Sequence, residues 1–323
     1  MVVSRLGVLQ ILGFLKNLGA IATVTAFLVL GTQAANSQST KRDPPDISVT
    51  TPPALPQVTI KALSAAERRR IDRAIPSFIQ SHAAPALFGQ YARWTTPICV
   101  MITGGLPPSF EEFVTRRIAE LADSVGAHAN RDPHCKPNVQ VFFAAQPQKQ
   151  LDEVVRTAPE LLGYYYKSQT KDTATFTGPV RTWYSIGGIG LSGRLKRLGP
   201  NDRAPDGVAG SRLGSGSSVA LMTVLVIADG KKMAGYEIGP ISDYIAMLVL
   251  SQIPRSEKCV ELNSILDLFA TECNRGDGPK ALTPVDVAFL KALYSTNLEL
   301  VGALERGNIH NMMLRALAKG SGN

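Results

Sequence analysis

Histidine is scarce in this chain of 323 residues: His82, His128, His134 and His310 are all there are, and none has a second histidine three or four positions away. Zinc hydrolysis on a helix needs such a pair, because neutral imidazoles hold the ion. Cysteine is equally sparse. No two of Cys99, Cys135, Cys259 and Cys273 are separated by two to four residues, so a thiolate metal knuckle is excluded. There is no G-x-S-x-G elbow for a serine hydrolase and no G-x-x-x-x-G-K-[ST] phosphate cradle. Clustered acids for glycoside chemistry are also missing. These absences predict no metal and no cofactor.

The N-terminus, by contrast, is strongly patterned. Residues 1–17 carry Arg5 and Lys16 and no acid, Leu18–Gly31 is uncharged, and small residues follow at Thr32, Ala34 and Ala35. That is the anatomy of a secretory signal, over 1–35, with the cut after Ala34 or one residue later. No cysteine lies near the cut, which argues against a lipoprotein. The alternative is an uncleaved anchor, although the apolar run is shorter than the ~20 residues of a spanning helix. Beyond it no apolar stretch approaches that length, so no stable membrane span is expected after cleavage. The chain is therefore expected in the periplasm or secreted, where two disulfides can form. Cysteines flanking short segments point to local pairing, Cys99–Cys135 and Cys259–Cys273. Losing Arg5 and Lys16 with the leader takes the formal charge from +8 to +6. Arg68-Arg69-Arg70 with Arg73, and Arg194, Lys196 and Arg197, read as solvated positions, and no nucleic-acid partner is expected.

Residues 36–58 are rich in Ser, Thr, Pro and Gln and read as a linker. A single domain then spans 59–319, with an α/β part at 59–240 and a helical part at 241–319. Ser64 and Glu67 form a capping box for a first helix, which Pro76 should kink or shorten. Strands are expected at 98–103, 138–145, 180–186 and 218–228. Helices are expected at 108–125 with Ser109 as cap, at 148–162 and at 241–253, with short helical pieces at 262–270. Two more close the chain at 283–294 and 297–318. The glycine-rich stretch 187–217 reads as a surface excursion and Asp229-Gly230 as a turn. The fold class is α/β (α+β): a mixed sheet of four or five strands with an antiparallel edge, then helices.

Ser168-Gln169-Thr170-Lys171 matches S-x-x-K, but no apolar period surrounds it and no K-T-G strand follows. At 242–250 a resemblance emerges. Ala246-Met247-Leu248-Val249-Leu250 fits the register of the zincin helix H-E-x-x-H, with Ser242 on the first histidine, Asp243 on the glutamate and Ala246 on the second histidine. Leu282-Thr283-Pro284-Val285-Asp286 and Leu290-Lys291-Ala292-Leu293-Tyr294 resemble later helices, so that about 60–310 resembles a family of exported bacterial proteins similar to the zincins. The resemblance implies a zincin-like shell without its zinc. It further implies an extended peptide or envelope protein bound along strand 218–228, with Trp183, Tyr184 and Tyr244 near the groove. Two rival readings stand beside it: a hydrolase with Ser242 as nucleophile and Asp243 or Glu237 as base, and a purely structural envelope protein.

Overall fold

The computed structural model describes residues 64–86, 89–163, 173–190, 192–197, 210–211, 214–254, 260–270 and 278–319. The leader and linker, Ser168–Lys171, Cys259 and Cys273 lie outside them.

Strands β1 (Val100–Thr103), β2 (Val139–Ala144), β3 (Val180–Ile189), β4 (Leu195–Arg197) and β5 (Ser218–Asp229) form one mixed sheet in the order β1-β2-β5-β3-β4. The first, second and fifth strands run parallel; β3 is antiparallel to β5, and β4 to β3. This is the expected α+β class with an antiparallel edge, but the edge is β4. Strand 218–228, expected to offer its main chain to a partner, is instead central, hydrogen-bonded on both sides. Its sequence fits that place, since SVALMTVLVIAD is apolar on both faces, as a strand covered above and below must be.

The helices are α1 (Ala65–His82), α2 (Pro108–Val125), α3 (Pro147–Thr157), α4 (Gly230–Met233), α5 (Ile238–Leu250), α6 (Pro284–Ser295) and α7 (Gly302–Lys319). Helices α1, α2, α5, α6 and α7 enclose the main core against one sheet face, with Val139, Val141, Val224 and Val226 meeting Ile118, Ile245 and Leu290. On the other face α3 and the 3-10 turn Pro159–Leu162 bury a smaller cluster of Leu151, Val154, Leu162, Trp183, Leu225 and Ile227.

Four local expectations change. Pro107 and not Ser109 takes the cap position of α2, because Pro108 fits the first helical position without losing a bonded N–H. The fifth helix begins at Ile238, since Pro240 falls in the first turn, where N–H groups are unpaired anyway. The first helix runs through Pro76 to His82. Asp229-Gly230 is a helix start, with the Asp229 carboxylate accepting from Lys231 N and Lys232 N. The Ser64–Glu67 box forms as expected.

Candidate functional site

Helix α5 is buried almost all round, and its polar residues are committed to structure. The Ser242 hydroxyl donates to Ile238 O at 2.7 Å, a back-bond within its own helix. Ser242 is fully buried, and among the described residues no side-chain base bonds its hydroxyl. Asp243 is gripped by Arg117 of α2, whose Nε donates to Oδ1 at 2.5 Å and whose Nη2 donates to Oδ2 at 3.1 Å. Leu282 N donates to Oδ2 at 2.9 Å, so the carboxylate also pins the approach to α6. Glu237 is exposed at the cap of α5 and does not join Asp243. The nucleophile–base arrangement of Ser242, Asp243 and Glu237 is therefore not assembled, because hydroxyl and carboxylate are both spent inside the core. Among the described residues no group of three or more His, Cys, Asp and Glu side chains converges as a metal site would require.

Trp183 and Tyr184 both border a small pocket of about 230 Å³ with Leu162, Thr173 and Gln252, but Tyr244 does not reach it. Neighbours along a strand point to opposite faces. Trp183 enters the α3-side cluster, its Nε1 donating to Thr173 O at 2.8 Å. Tyr184 turns to the helical side, donating to Leu248 O at 3.0 Å and accepting from Ile253 N at 3.2 Å. Tyr244 packs edge-on against Phe269 at 4.8 Å, and burial pushes its phenol up to about 12. All three aromatics serve the core. The glycine-rich Gly188-Ile189-Gly190-Leu191-Ser192-Gly193 has G-x-G-x-x-G spacing, but it runs from β3 towards the antiparallel β4 and opens no helix, so the phosphate-binding geometry is not met.

A cleft of about 630 Å³ lies at the N-terminal ends of the parallel strands, with Thr95, Thr96, His128, Ser218, Tyr294 and Asn297 in its walls. Open parallel sheets bind ligands at the opposite, carboxyl ends. Two residues missed from sequence shape this end. Arg93 pairs with Glu305 at 2.7 Å, both essentially buried, and Gln90 Nε2 reaches Leu298 O and Leu300 O at 3.0 and 2.9 Å. Burial raises the Glu305 carboxyl from its ordinary value, opposed by Arg93 and by the Tyr91 N–H. A signal existed for Arg117 at least: it interrupts the apolar stripe of Val114, Ile118 and Leu121, and a charge on a buried stripe demands a partner.

The two sheet edges differ sharply. The last strand, β4, is three residues long and carries Lys196 and Arg197, charged groups of the kind that blunt an edge against pairing. The first strand reads Val100-Met101-Ile102-Thr103, with no charge, proline or bulge. Its inner lane is fixed by Cys99 O, which accepts from Val139 N at 3.1 Å. Its outer lane is begun by Ile98, which donates to His128 O and accepts from Asn130 N, each at 2.8 Å. Strand alternation then turns the N–H and C=O of Val100 and Ile102 outward. No partner for them is present among the described residues. The disulfide Cys99–Cys135, formed as expected with a Cα–Cα distance of 6.1 Å, ties loop 128–138 beside this lane.

No family model, curated protein or solved structure matches the chain. The zincin resemblance rests on the residues quoted for it.

Proposed function

We propose that this is an exported, non-catalytic protein with a zincin-like shell that binds an extended peptide segment of an envelope partner by adding it to the sheet at β1. The reading rests on one observation: a short apolar edge strand whose outward main-chain groups at Val100 and Ile102 have no partner among the described residues and which carries none of the charges that guard β4. Edge addition draws affinity from main-chain hydrogen bonds and selectivity from alternate side chains. The commitment of Ser242 and Asp243 to the core supports binding over hydrolysis. The four-residue strand limits the added segment to a short stretch, which suits a weak and reversible partner.

The test is selection from a displayed library of random nine-residue peptides, followed by amide hydrogen exchange. Selected peptides should slow exchange at Val100 and Ile102, and Met101→Lys, which places a guarding charge on the edge, should weaken them about tenfold. Peptides that leave the β1 amides unprotected, or a library that yields no binder, would sink the proposal.

A further inference from the structure

The structure gathers a basic face that the sequence scatters over some 250 positions. Helices α1 and α7 pack antiparallel. Gly302, opening α7, lies so close to Gly89 that a Cβ there would sit 2.1 Å from Gly89 O, just beyond the end of α1. His310 Nε2 then lies 2.9 Å from Asp72 Oδ1. With that register, the rise of about 1.5 Å per residue carries Arg315 and Lys319 to the end of the pair where Arg68, Arg69 and Arg73 stand. All five are exposed. The carboxylates nearby are engaged elsewhere: Glu261 with Arg70 at 2.7 Å, Asp72 with His310, and Glu67 with the Ser64 cap. None of the five cations has a carboxylate within ion-pair distance among the described residues.

We propose that this end of the molecule lies on an anionic lipid surface, with Arg68, Arg69, Arg73, Arg315 and Lys319 facing the headgroups. The cations stand exposed on two adjacent helices, a placement that suits contact with a charged plane. Charge complementarity points to this partner: five exposed cations without a facing carboxylate among the described residues. The inference does not depend on peptide binding at β1.

The experiment is partition of the full chain onto vesicles of phosphatidylcholine containing 30% phosphatidylglycerol and onto pure phosphatidylcholine, at low and high salt. The apolar N-terminal run contributes equally to both, and the change caused by the triple variant below separates this face from Arg5, Lys16, Lys41 and Arg42 of the N-terminal segment. A Lys or Arg near such a surface contributes ~1 kcal/mol. The anionic vesicles should therefore be favoured at least 100-fold at low salt, and the preference should shrink at high salt. The triple variant R69Q/R73Q/K319Q should lower the ratio roughly 100-fold while unfolding at the wild-type temperature. Equal partition onto the two vesicles, or an unchanged ratio in the triple variant, would overturn the proposal. Tighter binding of a 20-base-pair DNA duplex than of the vesicles would overturn it too, assigning the face to nucleic acid.

Discussion

Arg117 and Asp243 are the residues whose meaning changes most between sequence and structure. Read in line, Asp243 stands beside Ser242 as an acid without an assigned partner. Folded, it is 2% exposed and meets a guanidinium that is 5% exposed, each neutralising a charge that could not otherwise be buried. Removing one partner leaves the other charge stranded. Asp243→Ala should cost about 3–5 kcal/mol in urea unfolding, whereas the double replacement Arg117→Met with Asp243→Leu should recover most of it. A loss of under about 1 kcal/mol in the single variant would mean that the carboxylate is not structural, and would reopen it as a catalytic acid or base. Asp286 is a second buried acid with a structural post. It accepts from Ser264 Oγ, Ile265 N, Thr283 N and Thr283 Oγ1, and so fastens the turn at Ile265–Phe269 to the start of α6. Burial pushes its carboxyl up to about 6 against those donors.

Among the elements, α1 carries the most instructive departure. Proline inside a helix removes the N–H that would bond the carbonyl four residues back, which for Pro76 is that of Asp72. His310 of α7 approaches that carbonyl at 3.2 Å from a sequence distance of 238, so a partner from another helix takes the place of the missing donor. The two changes should therefore couple. His310→Ala is expected to cost about 1–2 kcal/mol in the wild type and measurably less in the Pro76→Ala background, where α1 satisfies its own carbonyl. A double-mutant cycle with no coupling would show that α7 does not support the proline. The other helices were legible wherever their signals are local. Thr283-Pro284 predicts the cap and first turn of α6, and the structure adds Asp286, which completes a capping box there. Ser109 misled because serine is a good cap in isolation, while the preceding Pro107-Pro108 already fixes the backbone that enters the helix.

At the scale of the molecule, the chain is held together by contacts between distant segments. The disulfide Cys99–Cys135 spans 36 residues and joins the entry of β1 to the loop before β2. A closed loop of that length removes unfolded-state entropy worth about 3–4 kcal/mol. Cys99→Ala with Cys135→Ala should lower stability by about that amount and loosen the 128–138 loop beside the β1 edge, seen as faster amide exchange at Ile98 and Asn130. Unchanged stability would show that loop and edge are held by packing alone.

By itself the sequence determined the kinds and approximate bounds of most elements, the mixed α+β class and the Cys99–Cys135 pairing. The elements follow from periodicity and capping, which act within a few residues, and the pairing from two cysteines that flank one helical segment. Tertiary structure alone decided the order of the strands, and with it the burial of 218–229 at the centre of the sheet and the place of β1 at its edge. It also decided that Trp183 and Tyr184 part to opposite faces, that Asp243 serves Arg117, and that five scattered cations share one end. The alternation that separates Trp183 from Tyr184 is written into any strand, but which face each side chain meets depends on what packs there. Those outcomes depend on which distant segments meet, and a pairing across a hundred or more residues is set by the joint burial of many side chains.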